Sequence, residues 1–248
     1  MRKIGIIGGT GLEKLSLFEN PQDIFIDTPY GDPSSPLLTG TLAGREVAIL
    51  SRHGREHTLP PTQINNRANI FALKEYGCDA ILAVTACGSL REPIGRGHLV
   101  ILDQFIDFTK HRISTFFETF EGGVLKHTPM ADPFDEELRS ALVRQAEILG
   151  ITFHPTGTVV TIEGPRFSSR AESLMFRSWG ADVINMSTAP EVILANEAGI
   201  PYAAIAMSTD YDCWKTDEAP VSWEDVLEVF RNNVSKVTTL LLETLKVL

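Results

Sequence analysis

Residues 75–89 read EYGCDAILAVTACGS, and this stretch decides the fold class. A helical pattern halts at Gly77, and an apolar run follows almost at once and ends on Thr85-Ala86. Glycine just past a helix end is the usual left-handed cap. The same order recurs in SWGADVINMST (178–188) at Gly180 and in EAGIPYAAIAMSTD (197–210) at Gly199. These two runs end on Met186-Ser187 and on Ser208-Thr209-Asp210. Three helix-to-strand joins of one kind point to strands alternating with helices around a buried sheet.

The pattern extends outward. Strand-like runs lie at 3–8, 46–51, 79–85, 98–105, 157–162, 181–186 and 201–208, and helical patterns at 63–76, 135–149, 168–179, 189–198 and 222–247. Ser222, with Asp225 three residues on, suits the start of the last helix. No linker, low-complexity tract or charge block divides the 248 residues. The expectation is one α/β domain over 1–248, with a central mixed, largely parallel β-sheet flanked by helices.

Composition narrows the function. Hydrophobic residues make up 43% of the chain, enough for a large core, and no uncharged apolar run reaches the ~18 residues of a membrane span. The start MRKIGIIGG lacks the long apolar stretch of a secretory signal. A net charge of −10 disfavours nucleic acid as a partner. Three cysteines without CxxC spacing argue for a reducing compartment and against a disulfide or zinc framework. A cytoplasmic protein is expected.

Open α/β sheets bind ligands at the carboxyl ends of their strands. Hydroxyls at one such end can simply mark a turn; at three ends, beside a glycine-rich loop, they favour a site. That loop is KIGIIGGTGL (3–12). Read from Gly9, it lacks the third glycine of a dinucleotide fingerprint and the Lys-Ser/Thr pair of a P-loop. What survives is a nest of backbone N–H groups around Thr10, suited to one small oxyanion. In SRHGREHTLPP (51–61), Arg52 and His53 follow an apolar strand; arginine brings a planar fork that matches phosphate oxygens. In STDYDCW (208–214), Asp210 and Asp212 are two apart, so in extended chain both would leave one face. Such a pair could hold metal, move protons or grip an amine; no histidine or further acid clusters beside it to favour metal.

With these stretches, RANIFALKEYGCDAILAVTACGSLRE, DQFID, HTPMADPF and VVTIEGPRFSSRAESLMFRSWGADVINMS occur in order over nearly the full length. In this the chain resembles the trimeric purine nucleoside phosphorylase family, and within it the branch that cleaves 5′-methylthioadenosine. The resemblance implies that inorganic phosphate attacks the anomeric carbon and releases adenine and 5-methylthioribose 1-phosphate. It implies no metal and no organic cofactor. It also implies a homotrimer, with pairing of trimers into hexamers left open, and sites near subunit interfaces.

By the same resemblance, Thr10, Arg52, His53, Thr85 and Ser187 hold phosphate, Ser187 standing where threonine is common. Ala86 neighbours the substrate and Met186 packs on the ribose. Phe167 lines the base site, and Ser168 replaces the glutamate of guanine-preferring relatives. Asp210 and Asp212 grip adenine, with Asp210 as general acid, and His127 is lent by a neighbouring subunit to the 5′ pocket. Two positions depart from the family pattern: Asn66 stands where tyrosine is usual, and Trp223 replaces a valine near the methylthio group, which would reshape that pocket. The alternatives are a phosphorylase of adenosine, inosine or methylthioinosine, and a non-catalytic nucleotide-binding module.

Overall fold

A computed structural model describes residues 2–8, 18–217 and 223–248, without the side chains of 223–227, 230 and 232. Strands β1 (Ile4–Gly8), β2 (Glu19–Ile24), β3 (Leu37–Leu42) and β4 (Arg45–Ser51) precede helix α1 (Asn66–Glu75). Then come β5 (Ala80–Ser89), β6 (Leu99–Ile101), β7 (Gln104–Phe108), α2 (Glu136–Ile148), β8 (Phe153–His154) and β9 (Thr158–Ile162). The chain closes with α3 (Arg170–Ser178), β10 (Val183–Asn185), α4 (Thr188–Ala198), β11 (Tyr202–Asp210) and α5 (Trp223–Val247).

One mixed sheet joins the strands in the order β2-β3-β4-β1-β5-β10-β9-β7, and β11 lies beside β5 and carries β6 and then β8. The pairs β4–β1, β1–β5, β5–β11, β9–β10 and β7–β9 are parallel. The fold class is as expected, a single α/β domain.

The all-apolar strands are explained by cover on both faces. Ile4, Ile6, Leu82, Val84, Ile205 and Met207 pack with Leu138 and Leu142 of α2 and Leu240 of α5. The alternate residues Ile7, Ile81, Ala83, Ala204 and Ala206 pack with Ile70 and Leu73 of α1 and Val192 and Ala195 of α4. Period-two alternation thus splits each strand between two cores. Gly77, Gly180 and Gly199 follow helices at φ of +86°, +93° and +70°, the left-handed caps the sequence predicts.

Three expectations change. The run 98–105 is two strands: β6 pairs antiparallel with β11, and two residues later the chain crosses to run parallel to β9 as β7. Strands β2, β3 and β8 lie outside the expected set; in β2, ENPQDI is polar and exposed and takes its order from pairing with β3. Strands β5 and β11 also run further than expected, to Ser89 and Asp210, and this extension reaches the candidate site. The expected start of α5 at Ser222 lies outside the described residues.

Candidate active site

A cavity of about 620 Å³ opens where β4, β5, β10 and β11 end. Its wall includes Arg52, His53, Thr85, Ala86, Phe167, Ser168, Met186, Ser187, Asp210 and Asp212, so ten of the sequence-derived residues converge on one space. Thr10 lies outside the described residues, as does the side chain of Trp223. His127 is not in this cavity. It lies with Phe120, Thr115 and Lys126 in a second hollow of about 370 Å³.

One end is built to hold an anion. Arg52 follows β4 and is buried, so its charge needs a partner. Glu191 of α4, also buried, accepts from its Nε at 2.5 Å and from Nη2 at 3.1 Å. Nη1 donates to the Val84 carbonyl at 2.8 Å. The Tyr202 hydroxyl donates to Glu191 Oε2 at 2.8 Å and braces the carboxylate. Burial pulls the guanidinium down, but the charge and hydrogen bonds of Glu191 more than offset this and hold it above its usual range. Five N–H donors with three contacts leave hydrogens on Nη1 and Nη2 to offer a ligand.

Beside it the Thr85 and Ser187 hydroxyls meet at 3.1 Å. Ser187 holds the N-cap position of α4 yet makes no side-chain capping bond; its hydroxyl pairs with Thr85 at the cavity wall. The N-terminus of α4 adds its partial positive charge at the same place. Asn185 steadies this corner: its Nδ2 donates to Thr85 Oγ1 at 3.3 Å, and its Oδ1 accepts from Thr161 at 2.9 Å. His53 Nδ1 lies 2.8 Å from the Leu59 carbonyl oxygen, which can only accept, so Nδ1 carries the hydrogen. Burial, then the charge of Arg52, pushes the imidazole down to about 4, leaving it neutral near pH 7. Arg55 turns away to pair with Asp23, whereas His57 stacks on His53 at 4.7 Å and joins the wall.

The other end carries the carboxyls. Their convergence does not come from an extended chain. Strand β11 stops at Asp210, and Asp212 sits at φ +49° as a short 3₁₀ turn begins. The turn folds Asp212 back, and its N–H donates to Asp210 Oδ1 at 2.8 Å. Burial, and then the charge of Asp210, pushes Asp212 up to about 6. Gly88 makes room here: a Cβ at that position would stand 2.8 Å from Asp210 Oδ1. The Ser168 carbonyl accepts from the Cys213 thiol at 3.2 Å, which ties the loop bearing Phe167 to the carboxyl turn.

The sequence reading gave no site role to Glu191, Tyr202, Asn185 or Gly88, and named Thr209 only among the hydroxyls at a strand end. A glutamate in the apolar helix sequence PEVILAN was the one available hint of a buried ion pair. Among the described residues no cluster of three or more histidine, cysteine or acidic side chains could hold a metal ion, and no helix is long and apolar enough to cross a membrane.

The geometry has close counterparts. A family profile described as the Phosphorylase superfamily matches residues 3–246. S-methyl-5′-thioadenosine phosphorylase of Danio rerio is 54% identical over 243 residues, covering 97% of this chain and 86% of the relative. That of Xenopus tropicalis is 54% identical over 246 residues, covering 97% and 86%. Methylthioadenosine phosphorylase from Schistosoma mansoni, solved in complex with adenine, superposes with a TM-score of 0.92 at 41% identity, over 98% of this chain and 91% of that one. A substituted adenosine/methylthioadenosine phosphorylase from the same organism, in complex with methylthioadenosine, gives a TM-score of 0.91 at 42% identity, over 98% and 90%. On its sequence, its sheet and the make-up of its cavity, the chain belongs to the phosphorylase superfamily and, within it, to the S-methyl-5′-thioadenosine phosphorylases.

Proposed function

We propose that the chain cleaves 5′-methylthioadenosine with inorganic phosphate, yielding adenine and 5-methylthioribose 1-phosphate, and that it needs no metal or organic cofactor. The observation that carries this reading is the single cavity with oriented donors at one end and paired carboxyls at the other. Phosphate sits against Arg52, Thr85, Ser187 and Thr10, beneath the sugar, and its O–H donates to the bare Nε2 of the neutral His53. Cleavage develops positive charge on the ribose and negative charge on the purine. A fixed phosphate supplies both the nucleophile and the countercharge, and its positioning lowers the barrier by several kcal/mol. Asp210 donates a proton to the imidazole-ring nitrogen of the departing base, a step worth roughly 10²–10⁴-fold. Met186 packs on the ribose beside Ala86, and Phe167 and Ser168 border the base with Asp212.

Asp210 also selects the base. A protonated carboxyl donates to the ring nitrogen and accepts from the 6-amino group, whereas a 6-oxo group leaves it mispaired at ~1–3 kcal/mol. Asp210→Asn therefore lowers turnover of methylthioadenosine and shifts preference toward inosine-type nucleosides. An unchanged ratio of the two rates refutes that assignment.

We further infer a cytoplasmic homotrimer in which His127 completes the 5′ pocket of a neighbouring subunit. The three free cysteines suit a reducing compartment. The deciding experiment measures adenine release from methylthioadenosine with and without phosphate, before and after chelator dialysis, beside adenosine, inosine and methylthioinosine. Phosphate-dependent release that survives the chelator supports the reading. A faster rate on another nucleoside reassigns the substrate, and no release from any of them leaves a binding module.

A further inference from the structure

Asp212 reaches the cavity at φ +49°, a backbone that residues bearing a Cβ adopt uncommonly and keep only where their surroundings fix it. Strand β11 does not fix it, because the strand ends at Asp210. A three-residue 3₁₀ turn, Asp212–Trp214, holds little on its own. The anchor lies at the far end of that turn. The Trp214 indole N–H donates to the carbonyl of Ser89, the last residue of β5, at 2.8 Å. Its ring packs against the core of Leu90, Ile162 and Ile184. One face of α3 also packs on the turn. Arg170, Ser173 and Arg177 share that face by their spacing of three and four. Arg170 Nε donates to the Cys213 carbonyl at 3.3 Å, and the Arg177 guanidinium lies 3.6 Å from the centroid of the Trp214 ring. Arg177 also donates to the Leu90 carbonyl, so Trp214 and Arg177 grip successive peptide units at the end of β5.

We propose that Trp214 is a positioning residue: bonded to the end of β5 and covered by Arg177, it locks the turn that folds Asp212 back onto Asp210. The lock stands on these contacts alone; its effect on the base rests on the phosphorolysis reading. A locked turn presents the two carboxyls already ordered, so an arriving purine does not bear the cost of ordering them. The anion end is built on other elements, with Arg52 after β4 and Ser187 at the start of α4. Loosening the turn therefore weakens the grip on the base and leaves the grip on phosphate.

Trp214→Phe keeps an aromatic ring beside Arg177 and deletes the indole N–H. Three measurements read it: backbone hydrogen exchange of the substrate-free protein over residues 210–214, adenine binding by calorimetry, and initial rates in both substrates. The wild type is expected to protect the Asp212 N–H, which donates to Asp210 Oδ1. In Trp214→Phe that amide exchanges about tenfold faster, the weight of one hydrogen bond. The adenine Kd and the methylthioadenosine KM rise by about the same tenfold, and the phosphate KM does not move. An unprotected Asp212 amide in the wild type overturns the proposal, as does wild-type exchange or wild-type adenine affinity in Trp214→Phe. A phosphate KM raised as far as the nucleoside KM also overturns it, since that marks a fold loosened throughout. If Trp214→Phe does not fold, Arg177→Gln, which uncovers the ring and leaves the indole bond in place, is held to the same readings. A wild type that binds no adenine, or that releases none with phosphate, overturns the phosphorolysis reading, and exchange at Asp212 then decides the lock by itself.

Discussion

At the scale of the residue, the two ends of the cavity solve opposite electrostatic problems. Arg52 must stay charged in a buried setting, and Glu191 and Tyr202 are what keep it so. Removing Glu191 would strand a buried cation, a loss of ~3–5 kcal/mol that threatens the fold itself. Tyr202→Phe is the gentler probe, since it deletes one oxygen and loosens the carboxylate that aligns the guanidinium. The expected outcome is a phosphate KM raised by about threefold to tenfold with the nucleoside KM unchanged, measured by initial rates in the two substrates. Asp212 shows the reverse problem, a carboxyl that burial pushes up to about 6 from an ordinary 3.8. Because the folded state holds the proton more tightly, its stabilising contribution is complete below about pH 3.8 and is lost as pH rises through about 6. That displacement corresponds to roughly 3 kcal/mol at ~1.4 kcal/mol per pH unit. Asp212→Asn removes the penalty, so its melting temperature gains on the wild type as the pH is raised from 4 to 7. A constant difference across that range refutes the assignment.

At the scale of the element, the site exists because β5 runs past its ladder with β1, to Ser89, and β11 past its ladder with β6, to Asp210. The close approach of the two depends on Gly88, where a Cβ would lie 2.8 Å from Asp210 Oδ1 and 3.1 Å from Ile184 Cγ2. Its φ is not in the left-handed region, so alanine meets no backbone strain, and the obstacle is space alone. Gly88→Ala is expected to cost ~1–3 kcal/mol of stability as overpacking. It should cost ~10²-fold or more in kcat/KM through a displaced Asp210, since misplacement by 1 Å is felt at that level. Wild-type kcat/KM in a folded Gly88→Ala protein refutes this. Much of the frame was legible in the sequence, because glycine caps and all-apolar strands are local signals. The polar strand β2 was not, since its order comes from a partner elsewhere in the chain. The site was legible where it sits at strand ends, as with Thr85, Ser187 and Asp210. Asp212 reached the cavity by a turn rather than by strand alternation, so its spacing pointed to the right place through the wrong geometry. Glu191 and Tyr202 act through burial and reach, which a linear pattern does not record.

At the scale of the whole molecule, one described residue that the family resemblance assigns to the cavity, His127, stands outside it. His127 stands in the second hollow, and the nearby stretch 113–125 exposes Ile113, Phe120, Val124 and Leu125. Exposed apolar side chains gathered on one segment mark an interaction surface. On the proposed trimer this segment meets the neighbouring subunit and carries His127 toward its cavity. Subunit mixing tests the arrangement without relying on mass alone. Asp210→Asn and His127→Ala homotrimers are each expected to be impaired on methylthioadenosine. When the two chains are co-expressed in equal amounts, a site that pairs a native Asp210 with a neighbour's native His127 forms in about a quarter of positions around a closed threefold ring. Activity per site should then rise toward about one quarter of the wild-type value, well above either parent. Activity equal to the mean of the two parents would mean that His127 serves its own chain or none, and would remove the shared site from the reading.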